Sequence, residues 1–125
     1  MVTVLLLPQS VCSEDRHIVE YDNGRRDYIK YESVLRKRCG FSLAFKCRRF
    51  LELYDYLVPE ARGHLSSEAL VEYDCKKKIW RLIRINHYDQ NMGEGNLLSG
   101  EEGEDKWLDI TIDSREKQKF NFVCF

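Results

Sequence analysis

Two blocks of like charge are the residues best able to do chemistry, and that chemistry is ionic recognition. Between positions 25 and 49 nine bases (Arg25, Arg26, Lys30, Arg36, Lys37, Arg38, Lys46, Arg48, Arg49) face two acids, Asp27 and Glu32, a local net charge of +7. Between 89 and 113 eight acids (Asp89, Glu94, Glu101, Glu102, Glu104, Asp105, Asp109, Asp113) face Lys106 alone, a net of −7. The whole chain of 125 residues carries only −1, so the two poles say more than the total. Tyr28, Tyr31, Phe45 and Phe50 interleave with the bases. That mixture could stack on bases and neutralise phosphates, which makes nucleic acid the second reading. The plainer reading is a solvated basic face whose aromatics pack inward. A pI near 6.3 and the acidic pole disfavour a polyanion, so a protein partner ranks first. Trp107 beside the acidic cluster is the aromatic interface candidate, because a tryptophan at a charged rim is a common hot spot.

The remaining reactive side chains assemble nothing. Cys12, Cys39, Cys47, Cys75 and Cys124 are odd in number and lack short paired spacings. That pattern favours a reduced chain in the cytoplasm over a secreted disulfide scaffold. His17, His64 and His87 are scattered among them without CxxC or HxxxH pairing, so no zinc site is expected. The acidic run lacks the alternating carboxylates of a calcium loop. No nucleophile elbow, HExxH helix or phosphate loop occurs, and neither an enzyme nor a cofactor is expected. The apolar run 2–7 is too short for a signal peptide or a membrane span and reads as a strand, with no membrane partner.

The elements that must carry these groups are read in order. A first strand over 1–9 and a second ending at Asp22 form a hairpin through a polar turn. Asp27 then caps a helix over 27–39, with Tyr28, Tyr31 and Leu35 as its apolar stripe and Gly40 as its left-handed end. Over 42–58, Leu43, Phe45 and Cys47 could alternate as a strand, but Phe50, Leu51, Leu53, Tyr54 and Leu57 fit a helical face better, which favours a second helix ending before Pro59. The alternation in 68–85 is a strand hairpin turning at Asp74 to Lys78. Residues 89–105, with four glycines and much acid, form a mobile acidic loop. Two more strands, 107–113 and 119–125, close the chain.

Strand, strand, helix with a Gly40-Phe41 exit and then further strands resembles the ubiquitin-like β-grasp, most closely over 16–41. The resemblance implies an α+β domain, a mixed sheet packed against one main helix, with 42–67 as an insertion bearing the second helix. Residues 101–116 resemble the acidic loop and strand of Phox/Bem-type interaction domains. That likeness implies acidic contacts at Glu101, Glu102, Glu104 and Asp105, with Asp109 and Asp113 following, and heterodimers or head-to-tail chains. The expectation is therefore one domain over 1–125, the N-terminal unit of an intracellular scaffold or assembly protein, cytoplasmic and extending to the cytoskeleton. It would bind another protein, or itself head to tail, through the acidic set and through Arg25, Arg26, Arg36, Lys37, Arg38, Arg48 and Arg49.

Overall fold

The computed structural model describes residues 15–22 and 24–125, with side chains from Gly24 onward. The expected strand over 1–9 and Cys12 lie outside the described residues. The chain forms one antiparallel sheet and a single C-terminal helix. The strands are β1 (Asp15–Asp22), β2 (Arg25–Lys30), β3 (Leu35–Lys37), β4 (Cys47–Tyr56), β5 (Ser66–Asp74), β6 (Ile79–Tyr88), β7 (Leu97–Glu102) and β8 (Leu108–Asp109); the helix is α1 (Arg115–Cys124). The sheet order is β1-β2-β4-β5-β6-β7; β3 also pairs with β4, and β8 with β6.

This corrects the α+β grasp. No helix follows the first hairpin, and every strand pairing among the described residues is antiparallel. The segment expected as the main helix is β2, a 3-10 turn at Tyr31–Ser33, and β3. Asp27 and Ile29 are fully buried while their neighbours are half-exposed, which is the two-residue period of a strand. Tyr31 and Leu35 are about half exposed, so they do not form the buried stripe of a core helix. The second expected helix is β4, the central strand. Its Phe50, Leu53 and Tyr54 are all buried because both faces of β4 are covered, and such a run mimics a helix. The hairpin of β5 and β6 lies where alternation put it, turning through residues 75–78. In the segment expected as a mobile acidic loop, Leu97–Glu102 is a strand paired with β6. Of the expected strand over 107–113 only Leu108–Asp109 is extended, and 119–125 is helical except at its end.

The helix starts where Ser114 Oγ accepts the Lys117 backbone N–H at 3.1 Å, satisfying one of the free donors of the first turn. Phe120 and Val123, three apart, then face the sheet with Lys119 beside them. They meet Ile29, Phe50, Tyr54, Ala69, Val71 and Tyr73, which together form the core. The Phe50 and Tyr73 rings lie 5.3 Å apart, and Tyr73 stacks on Trp80 at 5.9 Å.

Charge is buried in the same contact. Lys119, 1% exposed, donates to Asp27 Oδ2 at 2.8 Å and Glu52 Oε1 at 3.2 Å. Arg25 closes on Asp27 with two bonds of 2.6 and 2.7 Å, and the Tyr54 hydroxyl donates to Glu52 at 2.5 Å. Burial alone would raise Asp27, but Arg25 and Lys119 hold it below its ordinary 3.8. Glu52 goes the other way: burial pushes it above 4.5 despite Lys119 and Tyr54.

Two disulfides join what the sheet leaves apart. Cys39–Cys47 closes the loop before β4, and Cys75–Cys124 ties the β5–β6 turn to the last residue of α1. Two such bonds correct the expectation of a reduced cytoplasmic chain, since bonds of this kind persist in oxidising compartments.

Three outcomes follow. Replacing Lys119 with methionine leaves two buried carboxylates short of a cation and should cost about 3–5 kcal/mol in urea unfolding. In the parent protein, Asp27 contributes stability that is present above pH 3.8 and lost as pH falls below it. Glu52, being raised, contributes stability that is complete below 4.5 and lost as pH rises through its higher folded value. Unfolding curves across pH should therefore show a gain on acidifying toward 4.5 and a loss below 3.8. Replacing Cys75 and Cys124 together with serine should cost about 2–4 kcal/mol, read by the same unfolding assay.

Candidate functional site

Three elements converge at one end of the sheet: the start of β4 with its partner β3, the β5–β6 turn, and the end of α1. The loop 38–46 joins them, held to β4 by Cys39–Cys47. Arg48 is the knot. Its Nε donates to Val123 O at 3.1 Å, and its Nη1 donates to Phe45 O and Cys47 O, both at 3.2 Å. One guanidinium therefore ties the loop, the strand and the helix end together.

Two hollows open beside it. One, of about 450 Å³, is walled by Tyr31, Val34, Arg36, Phe122 and Phe125. The other, of about 530 Å³, is lined by Ala44, Lys46, Lys76, Lys77 and the Cys75–Cys124 bond. Both share Arg48, Cys124 and Phe125. Phe125 is 90% exposed and stands between them, and Phe41 and Leu43 project nearby from the loop, almost wholly in solvent. Arg36 and Arg48 are direct cross-strand partners, so like charges stand side by side. Burial, and then Arg36, lower the Arg48 pKa from its ordinary value.

The expected site residues separate in this arrangement. Of the basic set, only Arg36, Arg38 and Arg48 stay at this end without a carboxylate among the described residues; Arg38 lies over the Phe45 ring at 5.3 Å. Arg25 is spent on Asp27 inside the core. Lys37 and Arg49 lie on the opposite face of the sheet, where with Arg81 they surround the buried Glu72 at 3.1, 3.4 and 2.7 Å. Burial alone would raise Glu72, but Arg81 and Lys37 hold it below the usual carboxylate range. Arg26 is on that face too, its Nη1 3.5 Å from the Tyr28 hydroxyl.

The acidic set lies on β7 and beyond. Glu101 pairs with Arg62 at 2.9 Å, Glu102 with Arg84, and Asp105 with Arg81 at 2.8 Å. Glu104 and Asp109 are exposed. Trp107, 37% exposed, lies against the Arg81 guanidinium at 4.9 Å and screens the Glu72 cluster from one side. Much of the acidic pole is thus answered by cations of the same chain.

Sequence reasoning missed the hydrophobic half of the site. Phe120, Phe122 and Cys124 alternate like strand residues, which hid the helix that places Phe122 and Phe125 at its end. The signal for that helix was Ser114 followed by Glu116, a capping serine with acid in the first turn. Lys76, Lys77 and Lys78 were legible as three cations in a turn. Asp74 Oδ1 there accepts the backbone N–H of Lys76 and Lys77, at 3.0 and 2.9 Å, leaving their side chains outward. At the far end of the sheet the fold brings His64 and His87 together with ring centroids 4.3 Å apart, which their spacing did not foretell. Burial, and then His64, lower the His87 pKa. Among the described residues the one cluster of three ligand-type groups is Cys39, Cys47 and Asp74, and its two sulfurs are bonded to each other.

The family of surface-adhesin protein E matches residues 16–125 by its sequence model. No curated protein matches the chain. Among solved structures, crystal form II of Haemophilus influenzae protein E is similar over 98% of this chain and 96% of that one, at 20% identity and a TM-score of 0.69. A second structure of the Haemophilus influenzae protein covers 96% and 90% at 20% identity and 0.68. Protein E from non-typeable Haemophilus influenzae covers 96% and 81% at 19% and 0.64. These likenesses establish the fold.

They replace the ubiquitin-like resemblance, which rested on a helix over 27–39 that is instead β2, a 3-10 turn and β3, and the Phox/Bem resemblance, which rested on the acidic run 101–116. The intracellular scaffold, its cytoplasmic and cytoskeletal location and its head-to-tail self-assembly fall with them, because the family is one of surface adhesins. The exclusion of a membrane is withdrawn for the same reason. Nucleic-acid binding through a basic helical face over 25–49 is also withdrawn: there is no such helix, and its bases are divided between two faces of a sheet. The chain belongs to the surface-adhesin protein E family.

Proposed function

We propose that this domain works at the outer surface of a bacterial cell as an adhesin, binding an extracellular protein of a host without catalysing a reaction. The observation that carries this reading is the family match over residues 16–125. The two disulfides support it, since they suit an oxidising exterior and brace a domain that must hold its shape outside the cell. The contact surface, on this reading, uses residues that the fold leaves outward and uncommitted. Arg36 and Arg38 at the basic end meet that requirement, with Arg48 fixed beside them by its carbonyl contacts, and so do Glu104 and Asp109 beyond β7. Arg25, Lys37 and Arg49 are occupied by internal carboxylates and act in stability.

The test is display of the described domain on a non-adherent bacterium, followed by counting cells retained on epithelial monolayers and on coated extracellular-matrix proteins. Displayed protein should raise retention several-fold over an empty display scaffold, and soluble domain added in excess should compete it away. Retention equal to the empty scaffold on every surface would contradict the adhesin reading.

A further inference from the structure

The cross-strand pair Arg36 and Arg48 is unusual for what it lacks. Directly opposed like charges destabilise a sheet, and such pairs are ordinarily relieved by a carboxylate between them. Among the described residues no carboxylate reaches either guanidinium. The hydrogen bonds of Arg48 end on neutral carbonyl oxygens of Phe45, Cys47 and Val123, so its geometry is fixed while its charge stays unanswered. The helix end that supplies Val123 O is a partial negative charge and offsets only part of it. In the adjoining hollow, Lys46, Lys76 and Lys77 add three further cations, and the one acidic side chain lining it among the described residues, Asp74, is turned onto its own backbone turn. The whole end is poised for an anion.

The walls say what kind of anion. Tyr31, Phe122 and Phe125 surround the 450 Å³ hollow beside the arginine pair, within the usual range of ligand-sized clefts. A solvent-exposed aromatic wall gains free energy only when an apolar group covers it. A sulfated glycan would satisfy the cations but brings no apolar side chain to these rings. An acidic stretch of polypeptide brings both, and guanidinium forks match carboxylates in geometry as well as charge.

We propose that this end of the sheet docks an acidic peptide segment of a partner protein, with carboxylates on Arg36 and Arg48 and an apolar side chain seated against the wall that Phe122 and Phe125 form with Tyr31, whose ring packs edge-on to Phe122 at 6.1 Å. Lys46, Lys76 and Lys77 extend the contact along the segment, and Phe125 divides the apolar seat from the lysine hollow. The inference rests on the adhesin reading only for the source of the segment, a host protein; the site itself rests on its own charges and walls.

The probe is a fluorescein-labelled synthetic peptide of glutamates flanking one phenylalanine, titrated by anisotropy at physiological salt. Three comparisons accompany it: the same peptide with serine for phenylalanine, a heparin-derived oligosaccharide as competitor, and the Arg36→Glu and Phe122→Ser variants. Arg36→Glu should weaken binding about tenfold or more, as loss of a central arginine contact does. It should also raise the melting temperature, because it turns a like-charge pair into an attractive one. That rise separates loss of a contact from loss of fold. Phe122→Ser and the serine peptide should each weaken binding too. Equal binding by Arg36→Glu and the parent would overturn the proposal, as would indifference to the peptide's phenylalanine or preferential capture of the oligosaccharide. In the display assay, adhesion by the parent that persists in Arg36→Glu would place the host contact elsewhere and overturn it. Peptide binding that depends on Arg36 in a parent that adheres to nothing would support the site and sink only the adhesin reading.

Discussion

One buried lysine holds the architecture together. Lys119 reaches from the C-terminal helix into the sheet and meets Asp27 of one strand and Glu52 of the next. Removing three charges from water is expensive, and that expense is recovered only while all are in place with good geometry. The network therefore specifies a position more than it adds stability. A helix shifted by one residue would set Gln118 or Phe120, neither of them a cation, against Asp27 and Glu52. Arg25 and Tyr54 complete the arrangement, the guanidinium lying 4.0 Å over the tyrosine ring while its fork grips Asp27.

The rest of the helix follows from that anchor. With Lys119 fixed, Phe120 and Val123 fall onto the core, and the Cys75–Cys124 bond then fastens the far end to the β5–β6 turn. Arg48 adds a third tie at Val123. Those restraints leave Phe122 and Phe125 at the end of the sheet beside Arg36 and Arg48, which meet no carboxylate among the described residues. The basic and apolar character of that end is thus a consequence of how the helix is docked. The opposite face has the contrary logic: Lys37, Arg49 and Arg81 converge on Glu72, and each cation there is engaged by a carboxylate of the same chain.

How much of this was legible depended on whether a signal was local. The β5–β6 hairpin was, because its residues alternate and its turn is marked by Asp74 and three lysines. The charge poles were legible as composition but not as surfaces. Which cations remain available is decided by partners distant in sequence, such as Lys37 with Glu72 and Arg62 with Glu101. Asp27 illustrates the same point most sharply. A short carboxylate before Tyr28 and Tyr31 satisfies every local rule for a helix cap, yet its partner lies 92 residues away on the last helix. Tertiary contact overrode propensity there, and β4 was misread because a strand buried on both faces loses its alternation. The disulfides were hidden by arithmetic. Five cysteines suggested no framework, although four of the five form two bonds.

The C-terminal helix is locked into the sheet as one cooperative unit, and this lock shapes the basic, aromatic end of the sheet. Native-state hydrogen exchange across the backbone amides of α1 tests it most directly, under mild denaturant and with the disulfides intact. The account predicts that the amides from Lys119 to Val123 exchange only with global unfolding, at the same free energy as the central strands β4 and β5. Fast exchange of those amides at low denaturant, while the strands stay protected, would show a helix that frays independently and would contradict it.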